Sequence, residues 1–315
     1  MYADGAGGCF GDHIDAVCVQ QRTQRAVQQL RTPELQPPSG SREPADFDRQ
    51  ICKGTYTEQV QIEKGVAISG KPGAVLKLPA APADSTTPCD TAIGEPFQPN
   101  QDELSICTPG VVSISGLKIE ALWPAGFCYD SMYGVFIAGG ATLKATSDII
   151  DGAGASPIDG CQGGVALQAG SARTEPNEIG HAVLDKVSIS GYQKNGINIT
   201  GAGATGAITS TTVTGAGPTN QIAQNGIEVA FGGVAKVKGG TISGNECEET
   251  PACGFTATQS AGILFFLDGP GSSVTKAKIN ETTSGPPTSP KAPPRRLRPK
   301  SALPRTPSPA TATRG

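Results

Sequence analysis

Three aspartates, Asp148, Asp151 and Asp159, crowd one short stretch of the chain, and two basic residues, Arg173 and Lys194, follow them. Carboxylates at this density suit two kinds of chemistry. They supply hard oxygen donors to Ca²⁺, or they pair as the acid and base of a reaction on a polar substrate. A nearby arginine or lysine adds a base for drawing a proton from carbon. Period-two alternation, however, puts Asp148 and Ile150 on one face of a strand and Ile149 and Asp151 on the other. Asp151-Gly152 and Asp159-Gly160 are also ordinary turn dipeptides, in which the aspartate bonds its own backbone. The turn reading carries more weight, and the five residues stand as catalytic candidates without assigned roles. No metal site and no cofactor is identified; Ca²⁺ enters only if these residues draw a proton from carbon.

Aromatic side chains are scarce, with one concentration at Trp123, Phe127, Tyr129 and Tyr133 around Cys128. Trp123, Tyr129 and Tyr133 are candidates for stacking on sugar faces, although packing beneath a long loop is the favoured reading. His181, in Gly180-His181-Ala182, and His13 read as structural or solvated. A nucleophilic serine has no Gly-x-Ser-x-Gly elbow to sit in. The glycine-rich run Gly201-Ala202-Gly203-Ala204-Thr205-Gly206 lacks the Lys-Ser/Thr of a phosphate loop and reads as turns.

The nine cysteines include no Cys-x-x-Cys pair, which favours disulfides and an oxidising, extracellular compartment over zinc. Cys89 with Cys107, and Cys247 with Cys253, are the disulfide candidates. Connectivity stays open, and the odd count leaves at least one thiol over. The segment Met1-Tyr2-Ala3-Asp4-Gly5 has neither the basic start nor the apolar run of a signal peptide, so it reads as a mature or truncated start, with cytoplasmic residence the competing reading. No apolar run is long enough for a membrane span. Net charge is -3, but Lys291, Arg295, Arg296, Arg298, Lys300, Arg305 and Arg314 lie together after Glu281. The body is therefore acidic and unsuited to nucleic acid.

Glycine at 42 residues and abundant Val, Ile and Thr disfavour helices. A short motif repeats at Gly134-Val135-Phe136-Ile137, Gly164-Val165-Ala166-Leu167, Gly196-Ile197-Asn198-Ile199, Gly226-Ile227-Glu228-Val229 and Gly262-Ile263-Leu264-Phe265. Between copies falls a second one, as in Val187-Ser188-Ile189-Ser190-Gly191 and Thr241-Ile242-Ser243-Gly244-Asn245. Two interleaved β segments per period describe the coil of a solenoid, whose apolar faces are buried only by stacking. Asn195-Gly196 and Asn225-Gly226 take matching places and predict a short asparagine ladder.

The expected fold is an all-β, right-handed parallel β-helix over 51–280 with a short N-terminal capping helix. That helix is placed at Thr23–Leu30 within segment 1–31, followed by a mobile linker at 32–50. Pro79 to Pro109 reads as a stapled surface loop. From 281 to 315 the chain turns to Pro, Arg, Ser and Thr, a disordered signature. The tail is either a basic arm or sequence beyond a lost reading frame, the second being favoured. The last coil then lacks a cap, and its open edge predicts self-association.

Cys52-Lys53-Gly54-Thr55-Tyr56-Thr57-Glu58-Gln59-Val60-Gln61-Ile62 and Gly65-Val66-Ala67-Ile68-Ser69-Gly70 resemble the opening coil of pectate-lyase-like and pectin-esterase-like β-helix proteins. The resemblance continues through the repeats to Asn280. It implies a secreted protein that binds extracellular polysaccharide. The family's lyases, hydrolases, esterases and epimerases supply an enzymatic alternative, and a purely structural surface protein is a third. The Asn-Thr-Asp, Asp-Asp and Gly-His-Gly motifs of the family's hydrolases are absent, and Asp148-Ile149-Ile150-Asp151-Gly152 matches the esterase strand poorly.

Overall fold

The computed structural model describes residues 28–29, 48–89, 100–126, 128, 131–172, 178–248 and 259–280. All of them fall in the unit Met1–Gly285, and the unit Pro286–Gly315 lies outside them. Their strands form three parallel sheets of eight strands each. The first sheet stacks Gln28–Gln29, Val60–Ile62, Leu104–Cys107, Tyr133–Ala138, Val165–Ala169, Asn195–Thr200, Asn225–Ala230 and Ala261–Phe266. The second holds Asp48–Ile51, Val66–Gly70, Val111–Ser115, Ala141–Thr146, Gly180–Asp185, Thr205–Thr209, Val234–Lys238 and Ser273–Thr275. The third holds Gly54–Thr57, Ala74–Lys77, Lys118–Pro124, Ile149–Ser156, Ser188–Tyr192, Thr212–Thr219, Thr241–Cys247 and Lys278–Ile279. From Val60 onward the chain visits the sheets in strict rotation, which is the connectivity of a right-handed β-helix solenoid.

The core follows from alternation plus stacking. On the third sheet Leu76, Ile119, Ile150, Ile189, Val213 and Ile242 lie one above another, all buried. Each such side chain sheds its water only because its equivalents in the adjoining coils cover it. The second and third sheets meet at a one-residue left-handed corner. Ser147, Lys186, Ser210 and Lys276 adopt φ of 57°, 55°, 49° and 56° there, and Gly116 and Gly239 take the same place with φ of 67°. A strand-to-strand bend this tight forces the left-handed region even on residues that disfavour it.

Four expectations are corrected by register. Gly134 stacks on Ala166 rather than on Gly164, because Tyr133 pairs with Val165 and Val135 with Leu167. A two-residue slip leaves every side chain on its predicted face, so alternation alone does not detect it. The stretch Pro79 to Pro109 is not all loop: Leu104–Cys107 is a first-sheet strand with Leu104 and Ile106 buried. Asp48–Ile51, assigned largely to the linker, pairs with Ala67–Gly70. Gln28 and Gln29, placed in the capping helix, are strand and pair with Val60 and Gln61. An extended segment occupies the open backbone edge of the first coil directly, which a helix does not. No helix occurs among the described residues, and the rest of the predicted helix, the remainder of the linker and the tail lie outside them.

Candidate functional site

The outer face of the first sheet carries side chains contributed by separate coils. Register places Phe136, Gln168, Asn198 and Glu228 in one outward column, and Tyr133, Val165, Asn195 and Asn225 in a neighbouring one. The amide ladder is present: Asn225 Nδ2 donates to Asn195 Oδ1 at 3.1 Å, and Asn198 Nδ2 donates to Gln168 Oε1 at 2.9 Å. Asn195 Nδ2 also donates to Glu228 Oε2 at 2.8 Å. Glu228 Oε1 has no hydrogen-bond partner among the described residues.

Val165, Gln168, Asn195, Asn198 and Glu228 of these columns floor a groove of about 220 Å³, bordered by Tyr133, Gln162, Lys194 and Phe231. Lys194 Nζ donates to Ala223 O at 2.9 Å, and burial lowers its pKa while the Glu228 charge opposes that shift. A shielded cation, a carboxylate, a line of amides and the exposed ring of Phe231 thus converge on one surface, with the buried Tyr133 beneath them. Such a set binds polyhydroxylated ligands by hydrogen bonds and ring contact. The groove draws on residues some thirty positions apart; Lys194 and Tyr133 were singled out from sequence as site candidates and Asn195 as a rung of the ladder, and Gln168, Glu228 and Phe231 were not.

The other sequence-derived candidates are dispersed. Asp148 is buried at the corner between the second and third sheets, where Leu117 N donates to Oδ1 at 2.9 Å and Thr146 N to Oδ2 at 3.0 Å. Asp151 lies on the outer face of the third sheet, accepting from Ser190 Oγ at 2.9 Å and facing Lys118 Nζ at 3.1 Å. Asp159 secures the loop beyond Ser156, accepting from Cys161 N at 2.9 Å, Gly126 N at 3.3 Å and Gln193 Nε2 at 2.9 Å. The three carboxylates therefore face three different surroundings. Trp123 is 2% exposed within the core, its ring edge against Gly164, so the ring is not offered to a ligand. Tyr133 stacks on Phe136 with centroids 5.2 Å apart. Arg173, Tyr129 and Cys253 lie outside the described residues.

Burial raises the Asp148 carboxyl to about 6, against the two backbone donors that pull it down. The native state therefore holds a proton that the unfolded chain has released between about pH 4 and 6, and folding stability falls as pH rises through that window. Asp148→Ala removes both acceptors and leaves the Leu117 amide buried without a partner, which costs about 1–3 kcal/mol. The gap between native and variant stability is expected to be wider at pH 4 than at pH 7. Urea unfolding at both values checks it, and a gap that widens toward pH 7 would contradict the corner assignment.

Two disulfides are defined. Cys89 joins Cys107 with Cα atoms 5.9 Å apart, and Cys128 joins Cys161 with Cα atoms 5.3 Å apart. Cys247 is also disulfide-bonded. The Cys128–Cys161 bond was not foreseen, since these cysteines are distant in sequence and Cys128 was read with its aromatic neighbours. It ties the turn after the strand Lys118–Pro124 to the loop that carries Gln162 to the groove.

Among the described residues no group of three or more His, Cys, Asp or Glu side chains is arranged to hold a metal ion, and no helix is long and apolar enough to cross a membrane. The chain is an all-β parallel solenoid with a polar groove on one sheet face. No family model, curated protein or solved structure matches it.

Proposed function

We propose that this is a secreted β-helix protein, akin to the pectate-lyase-like superfamily, that binds extracellular polysaccharide along the outer face of its first sheet. The observation that carries the reading is the groove, where Lys194, Glu228, Asn195, Asn198 and the exposed ring of Phe231 converge, with Asn225 bonded to Asn195 behind them. A linear glycan presents hydroxyls at a regular spacing, and a stack of parallel strands repeats its side chains at about 4.8 Å per coil. The disulfides support an oxidising compartment.

Calorimetric titration against a panel of uronans and neutral glycans, with and without Ca²⁺, tests it. At least one polymer is expected to bind, and Glu228→Gln, which keeps the shape and removes the charge, is expected to weaken it about tenfold, as for a charged hydrogen bond worth about 1.5 kcal/mol. Binding by none of the panel, or binding indifferent to Glu228, counts against the groove. A second reading, a divergent lyase, hydrolase or epimerase, is favoured by the shielded Lys194 beside Glu228, an arrangement suited to proton transfer. Under that reading the panel shows turnover, and Lys194→Met lowers turnover by far more than it weakens binding.

A further inference from the structure

The final coil exposes side chains whose equivalents in the coils directly before it are buried. Phe265 stacks on Val229, Val274 on Val237 and Ile279 on Ile242. The three lower residues are 0%, 2% and 1% exposed, whereas Phe265, Val274 and Ile279 are 40%, 38% and 44% exposed. Phe266 and Leu267 extend this apolar end, with Leu267 at 70%. Among the described residues no further layer covers these columns. The first sheet ends in Ala261–Phe266, an edge strand with neither charge nor proline, the kind that recruits another strand.

Residues 281–315 do not have the composition to form the missing layer. Proline recurs throughout them, Leu297 and Leu303 are their only large apolar side chains, and no run alternates apolar and polar residues. Proline lacks the amide that a ladder requires. The opposite end of the solenoid differs, since Gln28–Gln29 and Asp48–Ile51 add strands there and no large apolar side chain before Val111 is strongly exposed among the described residues. Association of unlike ends would join an apolar surface to one that exposes no large apolar side chain among the described residues. Association of two C-terminal ends joins apolar to apolar and closes on itself.

We infer that the C-terminal coil is the interface of a twofold dimer, with Ala261–Phe266 of each copy pairing antiparallel and Phe265, Leu267, Val274 and Ile279 packing across the junction. Sedimentation velocity on the full chain between 1 and 100 µM tests this. A dimer is expected, with no larger species, and Leu267→Lys is expected to raise its dissociation constant by tenfold or more. Leu267 is largely exposed, so the folded monomer tolerates the lysine, which unchanged circular dichroism checks. Hydrogen exchange supplies a second readout: amides of 261–266 exchange at least tenfold more slowly in the dimer than in the Leu267→Lys monomer. A chain that stays monomeric at 100 µM, an open-ended series of oligomers, or a dimer indifferent to Leu267→Lys overturns the inference.

Discussion

Replacing both Cys128 and Cys161 by serine is expected to lower folding stability by about 3–4 kcal/mol and to weaken binding in the groove at the same time. The bond spans 33 residues of sequence, and opening a loop of that length returns this much conformational freedom to the unfolded chain. Cys161 is buried, so the paired sulfurs are also part of the packing. The functional half of the expectation comes from position. Gln162 and Gly163 border the groove next to Cys161, and without the cross-link their loop is held by hydrogen bonds, chiefly those of Asp159 and Gln193. Urea unfolding measures the first effect and titration with the groove ligand the second. A loss of stability below about 1 kcal/mol would show that the loop is fixed by its hydrogen bonds and not by the disulfide.

Gly196→Ala is expected to cost about 3 kcal/mol or more, an unusually large effect for adding one methyl group. A Cβ at this position meets Val213 Cγ1 at 2.5 Å, Gly226 O at 2.6 Å and Tyr192 Cε1 at 3.0 Å. The carbonyl belongs to the backbone of the adjoining coil and does not rotate aside. Relief therefore requires the coils to separate, which exposes the ladders above and below. Gly160→Ala provides the contrast, since its Cβ meets nothing closer than Gln221 O at 3.6 Å. That change is expected to fall within about 0.5 kcal/mol. Thermal unfolding of the pair decides the point, and equal effects would refute the close-packed account of Gly196.

The two substitutions illustrate how legibility divides in this chain. Gly196 was marked by its recurrence and assigned to a turn; the structure gives its column another reason, the approach of third-sheet side chains such as Val213 to the inner side of the first sheet. The Asn195–Asn225 ladder was legible because equal spacing in a solenoid means stacking, and the two amides do bond. Glu228 was passed over as the variable residue of a repeat, yet it accepts from both members of that ladder. Asp148 drew attention as a carboxylate in a cluster. Its neighbours in sequence, Asp151 and Asp159, do not share its site, because Asp148 turns inward at the corner while Asp151 lies on the outer face of the strand that follows, and the loop after Ser156 carries Asp159 away.

From sequence alone came the all-β repeat, the inward and outward faces of most strands and the acidic body. These rest on local properties: alternation follows from the pleat of a single strand, and composition sets the preference for strand over helix. Tertiary structure decided the stacking of Gly134 on Ala166, the strand Leu104–Cys107, the Cys128–Cys161 bond and the membership of the groove. Each depends on how many residues an insertion adds between one coil and the next. Alternation has a period of two and a coil about thirty residues, so a chain that has fixed its faces has not yet fixed its register. The groove exists only once the register is set, because its side chains belong to different coils and meet nowhere along the chain.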